Sequence, residues 1–361
     1  MGRIDAYVSM AHYQAHLTPI LGALPEDRRG VLYADRDLRS LVPPGTVLSH
    51  PPDSRSPLLV AGYQDLNWAH RPKVLVQHGA GQTYRGCSNP SYSGGNGRDA
   101  AGLFLAVRES DAEKHRASYP GSSAVAVGCA KLDGWQHVPA PQGDPPFVGV
   151  TFHWPAYLHA ERADASREMI PEAGWAFQSW RDVLPRLREE FRLVGHGHPR
   201  VGPGGDKGPQ MVNYWQQQGV EAVWDAAELL GRADVLVADN TSLAYEFAAV
   251  GRPVVLLNDR EWRRDVEHGL RFWSELPGPD VWPDDDPDES YHRLVSAIRA
   301  VLEAGPRGDY WRRRRLDVSG RVYAGQPGQM AASAAQAVLA WEDEGCPHRR
   351  EYARPGPCRT C

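Results

Sequence analysis

VEAVWDAAELLGRADVLVADNTSLAYEFAAVGRPVVLLN, residues 220–258, alternates short apolar runs with helix-length segments, and this rhythm decides the fold. Residues 220–223 read as a strand. Asp225 is placed to cap a helix over residues 226–230. Val235–Ala238 reads as the next strand, and Asp239-Asn240-Thr241-Ser242 turns the chain into a helix over residues 243–250. Gly251-Arg252-Pro253 ends that helix, and Val254–Leu257 is a further strand. Apolar runs this short, bounded by turns and separated by helices, are the pattern of buried parallel strands joined by right-handed crossovers.

The same rhythm extends outward. Apolar runs recur at residues 6–10, 31–33, 46–48, 58–61, 74–77, 103–107 and 124–127, and again at 147–152 and 191–195. Residues 138–146, VPAPQGDPP, interrupt it with four prolines, which remove backbone donors and hold φ. We place a domain boundary there. The expected architecture is α/β, with an N-terminal Rossmann-like domain over residues 1–138 and a C-terminal one over 147–328. An alanine-rich helix over 329–345 crosses back to the first domain, and 346–361 form a tail. Two Rossmann-like halves facing a central cleft is the GT-B plan, with ligands at the C-terminal ends of the strands. Residues 201–209 and 277–288 read as a mobile loop and a solvated surface loop, and no internal repeat is present.

The bulk numbers bound the function. A chain of 361 residues can hold two sizeable cores, and a formal net charge of -5 excludes a globally basic nucleic-acid binder. No apolar run reaches the roughly 18–20 residues of a membrane span. The N-terminus lacks the pattern of a signal peptide, so a cytoplasmic protein is expected. Five cysteines in such a chain do not suggest a disulfide framework.

Chemistry gathers at the strand ends. Thr241 and Ser242 stand where a helix begins, and free N–H groups and the helix dipole there suit a phosphate. Glu246 lies one helical turn on, where a carboxylate can accept hydrogen bonds from a sugar diol. The plainer reading makes Ser242 an N-cap and Glu246 a solvated helix residue. His196 and His198 follow the run 191–195, well placed to hydrogen-bond phosphate, and Thr151 to Pro155, at the end of the run 147–152, would face the same cleft. In the first half, His78 and Gly79 follow residues 74–77. A histidine exposed at a strand end can take a proton from an attacking hydroxyl, whereas the plainer reading is a packed histidine in a Gly-rich turn. His12, His16, Asn67 and Trp68 are further candidates for the acceptor side.

These elements, in this order, resemble the CDP-glycerol glycerophosphotransferase family of wall teichoic acid synthesis, a GT-B family. Its His-Gly-Thr-Pro element is matched by His78-Gly79-Ala80-Gly81 and its Gly-x-Pro-x-x-Asp segment by Gly128 to Asp133. Its strand ending near Pro-Thr is matched by residues 148–155 and its His-Pro pair by His198-Pro199. Its Asp-Tyr-Ser-Ser signature with a following acidic residue and phenylalanine is matched by Asp239-Asn240-Thr241-Ser242 and Glu246-Phe247. Its Arg-Pro is matched by Arg252-Pro253. Order and spacing agree over residues 70–270. The resemblance implies a transferase with His78 as catalytic base. It also implies that Gly79, Thr151, His198, Asp239, Thr241, Ser242 and Glu246 surround the donor. Ala80-Gly81-Gln82-Thr83 replaces the family's Thr-Pro-Leu-Lys continuation, Thr241 replaces a serine and Glu246 an aspartate. Because glutamate at that place binds ribose in sugar-nucleotide enzymes of this fold, both NDP-sugar and CDP-polyol donors are expected.

The expected partners are therefore a nucleotide-activated donor and an acceptor hydroxyl on a glycan or a modified nucleic acid, with no cofactor in the active site. The four arginines Arg312–Arg315 keep nucleic acid in view, although a helix would spread them around its circumference. Cys346, His348, Cys358 and Cys361 form a candidate structural zinc site, with a tight Cys-x-His as its first pair. Two other functions fit the same plan, a UDP-sugar 2-epimerase, which needs acidic groups for proton abstraction, and a non-catalytic nucleotide- or glycan-binding module.

Overall fold

A parallel strand is covered on both faces, so leucine, valine and alanine fill it without alternation. The computed structural model describes residues 2–80, 98–139, 141, 144–154, 158–161, 167–170, 175–203, 205, 207–260 and 275–347. They divide into two units, one drawn from residues up to 80, 98–136 and from 323 onward, the other from 137–322.

In the first unit, strands β1 (Ile4–Val8), β2 (Arg29–Ala34), β3 (Leu58–Val60), β4 (Lys73–Val76), β5 (Ala101–Ala106) and β6 (Ser123–Ala126) pair in parallel, in the order β2-β1-β3-β4-β5-β6. Because successive side chains point to opposite faces, each strand feeds two cores. Ile4, Ala6, Leu59, Val74, Leu103 and Leu105 pack with Leu17 and Ile20 of α1 (Gln14–Ala23). Their alternates Tyr7, Leu58, Leu75 and Phe104 pack with Ala112 of α2 (Glu109–Ser118). A short helix, α3 (Leu132–Trp135), follows β6.

The second unit is built on β7 (Phe147–Thr151), followed by an antiparallel pair, β8 (Leu158–Glu161) and β9 (Arg167–Ile170). Strands β10 (Arg192–Gly195), β11 (Val235–Ala238), β12 (Val254–Leu257) and β13 (Asp280–Val281) complete a parallel sheet of order β10-β7-β11-β12-β13. Helices α4 (Phe177–Trp180), α5 (Gln210–Gln217), α6 (Ala226–Arg232), α7 (Leu243–Ala249), α8 (Pro287–Leu302) and α9 (Pro306–Val322) connect and follow the strands. Val148, Val150, Val235, Val237, Val255 and Leu257 share one face and bury it against Trp180, Trp215, Leu294 and Ile298. Gly251, at φ +82, takes the left-handed conformation that ends α7. The next residue, Arg252, donates to the carbonyls of Val138 and Pro139 at 3.0 and 2.6 Å, so the proline-rich segment starts clamped to this unit.

The last helix, α10 (Met330–Asp343), belongs to the first unit. Ala331, Ala334, Ala335, Val338 and Trp341 join the α1 core. Gly102 of β5 admits Trp341, since a Cβ there would stand 2.5 Å from the indole. Asp133 of α3 holds the start of α10. One carboxylate oxygen accepts from the N–H groups of Gly328 and Met330, the other from Ala331 at 2.7 Å.

Three sequence expectations change. Residues 220–223 do not form a strand; only Ala222 bridges to Gly195, because β10 ends at that residue. Residues 46–48 likewise give a single bridge, Val47 to Tyr33. Residues 277–288 are not simply a solvated loop. Val281 is buried and pairs with Leu257, which adds β13, and Asp286 caps α8 by accepting from Asp288 N–H. Asp225 caps α6 as expected, accepting from Ala227 and Glu228.

Replacing Asp133 by alanine leaves the first-turn N–H groups of α10 unpaired. The expected loss is about 1–3 kcal/mol from the first unit. Denaturant unfolding of D133A checks it, and an unchanged midpoint would show that the clamp carries nothing.

Candidate active site

In an open parallel sheet the crossovers leave in opposite directions at one point of the strand order, and the crevice there, at the C-terminal ends, receives ligands. In the second unit this point lies between β7 and β11. His153, just past β7, donates its backbone N–H to Asp239 Oδ1 at 2.8 Å, which ties the two strand ends together. Asp239 opens the turn into α7 and is 1% exposed. Thr241 Oγ1 accepts weakly from Leu243 N–H at 3.4 Å. Ser242 occupies the N-cap position but makes no side-chain capping bond. Glu246 has no exposed surface. The plainer reading, a serine cap with a solvated glutamate, is therefore not what the protein builds.

On the other side of β7, the Thr151 hydroxyl and His196 Nδ1 lie 2.7 Å apart, both buried, so this pair fastens β7 to the end of β10. His198 is half-buried, and its Nδ1 accepts from Arg200 N–H at 3.2 Å. With Nδ1 as acceptor, the neutral ring carries its proton on Nε2, a donor suited to phosphate oxygen. The His153 ring stands 4.9 Å from that of His198, and Trp154 stands 6.4 Å from it. The Arg200 guanidinium lies 4.4 Å above the Trp154 ring and Lys207 Nζ 5.6 Å from it. These two cations carried no motif in the sequence. Only the contact of Lys207 N–H donating to Arg200 O brings them together at this ring.

The switch of the first unit falls between β1 and β3. His78, past the end of β4, is half-buried rather than exposed. Its Nδ1 stands 2.8 Å from the carbonyl of Ala61, past β3. A carbonyl only accepts, so Nδ1 donates and Nε2 keeps its lone pair, the protonation a base requires. Burial, opposed by the Ala61 hydrogen bond and helped by Lys131, depresses the His78 pKa to about 4. The ring is thus a neutral and weak base at pH 7, not one that titrates near neutrality. Tyr13 lies 4.8 Å from it, His12 6.1 Å and His16 6.2 Å, centroid to centroid. Cys129 Sγ approaches His16 Nδ1 at 3.6 Å, a neighbour the sequence did not show. Gly79 is buried, and its carbonyl accepts from Gln77 Nε2. Asp65, 0% exposed, accepts from Ser9 Oγ at 2.9 Å, and burial raises its pKa to about 7. Trp68 stacks on His50 at 4.2 Å.

The remaining candidates separate. Of the zinc quartet, His348, Cys358 and Cys361 lie outside the described residues. Cys346 packs beside the first unit's core, and burial, with Glu342, pushes its thiol up to about 11. No cluster of metal-ligating side chains occurs among the described residues. Arg312–Arg315 do not form one face. The Arg312 side chain is 66% exposed, while Arg315 is buried with Nη2 3.4 Å from the Gly251 carbonyl. No described helix is long and apolar enough to cross a membrane. A groove of about 470 Å³ between β13 and α8, lined by Trp282, His292 and Arg293, holds none of the motif residues.

No family model matches the sequence, and no curated protein matches it significantly. Solved structures do. The wall teichoic acid polymerase TagF shares 12% identity, with 96% of this chain and 90% of that chain covered and a TM-score of 0.58. MnaA from S. aureus, solved with UDP, shares 13%, with 96% and 97% covered and a TM-score of 0.59. A putative UDP-N-acetylglucosamine 2-epimerase from Listeria monocytogenes shares 13%, with 99% of each chain covered and a TM-score of 0.56. At these identities the likeness establishes the fold, two Rossmann-like α/β units of the GT-B type.

Burial also sets a pH dependence. His12 and His115 are lowered to about 3 and His78 and His153 to about 4, all chiefly by desolvation, and His16 is lowered well below 6.5 for the same reason. Between pH 6.5 and 4 the unfolded chain binds protons that the folded chain refuses, so stability falls on acidification. Asp65 acts in the opposite sense, since its raised carboxyl is protonated in the folded state below about 7. One such group does not cancel five imidazoles. Urea midpoints measured from pH 6.5 to 4 should decline, less steeply in H78Q. A flat series would contradict the buried, neutral state of these rings.

Proposed function

We propose that this chain transfers a sugar, or a polyol phosphate, from a nucleotide-activated donor to an acceptor hydroxyl. One observation carries the reading: Glu246 is placed wholly inside the protein, one turn into the helix that starts at the β7–β11 switch. Burying a carboxylate is costly. Such an expense at a ligand-binding edge is characteristic of a functional group. The uncapped Ser242 hydroxyl beside it supports the same reading.

In this reading Glu246 accepts hydrogen bonds from a diol of the donor. Thr241, Ser242 and the Nε2–H of His198 meet the diphosphate, and Asp239, Thr151 and Gly79 shape the surrounding backbone. His78 Nε2 takes the proton of the acceptor hydroxyl. With an NDP-sugar, the oxygen bonds to the anomeric carbon as its bond to the β-phosphate breaks, and the nucleoside diphosphate leaves. With a CDP-polyol, the oxygen bonds to the β-phosphorus as that atom's bond to the oxygen bridging to the α-phosphate breaks, and CMP leaves. Donors on the departing phosphate stabilise the charge it gains.

A 2-epimerase reading gains one observation, the protonatable carboxyl of Asp65 in the first unit. Product analysis separates the two, because an epimerase converts a UDP-sugar without any acceptor. For the tail we propose a structural zinc held by Cys346, His348, Cys358 and Cys361. Metal analysis of the full chain should then find about one zinc per molecule, and a value near zero removes it.

Substitutions divide the roles. H78A should lower turnover by about 10²–10⁴-fold with donor affinity retained. E246A should weaken nucleotide binding by roughly tenfold or more. A screen of UDP-, GDP-, dTDP- and CDP-linked compounds by calorimetry and product release makes both measurements. Binding of none of them by the wild-type chain would sink the donor assignment, and full turnover by H78A would remove the base.

A further inference from the structure

The turn between β11 and α7 carries a side chain that the donor reading has not used. Asn240 is 3% exposed, and its carboxamide Oδ1, shielded from solvent, has no hydrogen-bond partner among the described residues. Buried amide oxygens are nearly always paired, because an unpaired one keeps the cost of its lost hydration. Arg315 also has unpaired guanidinium nitrogens, but it stands at the C-terminal end of α7, where the helix dipole favours a cation. Asn240 has no such account. It follows Asp239, which closes the crevice to His153, and it precedes the uncapped Ser242 by two residues. The residue that bears the orphan oxygen thus stands just past the end of β11, at the edge of the sheet where its topology places a ligand.

We propose that Asn240 is a specificity-determining residue whose carboxamide oxygen accepts a hydrogen bond from the donor molecule. This rests on the donor reading above and sharpens it. The oxygens of an ionised diphosphate only accept hydrogen bonds, so Asn240 Oδ1 cannot pair with them. Its partner is an O–H or N–H group of the donor, either a ribose hydroxyl of the nucleoside or a hydroxyl or acetamido N–H of the transferred group. Asn240 therefore marks where the diphosphate ends and the proton-bearing part of the donor begins. A site built around such an acceptor discriminates strongly against a ligand lacking the matching hydrogen.

The test is N240A in the full chain, read in two ways. Without ligand, the thermal midpoint should be unchanged or raised, because an unpaired buried group is removed. Calorimetric titrations then use UDP, CDP, their 2′-deoxy and 3′-deoxy counterparts, and the complete NDP-sugar the wild type binds best. N240A should lose roughly tenfold or more in affinity for the ribonucleotide. It should lose nothing for the counterpart lacking the partnered hydroxyl, if that partner is on ribose. A loss confined to the complete NDP-sugar assigns the transferred group instead. Equal affinities of variant and wild type for every compound overturn the proposal, as does a lowered midpoint, which would mean that Asn240 is paired within the fold. If the wild type binds none of the compounds, the donor reading itself fails, independently of any Asn240 variant.

Discussion

A parallel sheet buried on both faces leaves its polar side chains only one place to emerge, the ends of its strands. Both units obey this constraint. Their strands are mostly apolar, and several groups with chemistry to offer stand one or two residues beyond a strand's C-terminal end: Ser9, His78, His153, His196 and Asp239. The order of the strands then decides which ends lie beside a crevice. In the second unit the Asp239–His153 contact spans that crevice at its base. From there the α7 turn directs Asn240, Thr241 and Ser242 to its edge while Glu246 stays inside. Position, burial and charge at the candidate site all follow from the strand order.

The two units solve the burial of polar groups differently. In the first, the imidazoles of His12 and His16 gather around that of His78, and all three stay neutral, because desolvation and the nearby Lys131 both disfavour their charged form. In the second, the carboxyl groups of Asp239 and Glu246 are buried as well as the ring of His196, and the cations Arg200 and Lys207 lie on the loop beyond β10. A neutral, hydrogen-bonding edge suits a hydroxyl, and an edge with both signs of charge suits a phosphate attached to a diol.

Much of this was legible in the sequence, for reasons that can be named. Runs such as Val235–Ala238 and Val254–Leu257 declare buried strands because only those tolerate four consecutive apolar residues between turns. Asp225 declares a cap because its side chain competes for local N–H groups. What the sequence withheld depends on neighbours far along the chain. Residues 220–223 have a strand's composition but meet only one partner, since β10 stops at Gly195. His78 looked exposed because nothing local revealed the carbonyl of Ala61 or the rings of Tyr13 and His16. The burial of Glu246, the unused hydroxyl of Ser242 and the orphan oxygen of Asn240 are tertiary facts, and the last concerns a residue whose type alone raised no functional expectation.

The place of α10 bears on how the chain reaches this state. Asp133 and the helix it holds are separated by almost two hundred residues, the whole second unit lying between them. On the ribosome, the second unit is therefore complete in sequence while the first still lacks the helix that packs beside α1. Until Ala331, Ala334, Val338 and Trp341 arrive, the side of α1 they pack against and the part of β5 at Gly102 remain uncovered. Closing so long a loop is entropically unfavourable and slow. During synthesis this uncovered face is a surface for chaperones or for misassociation. The order of folding is thus inverted relative to the order of synthesis: the half that begins first is the half that finishes last.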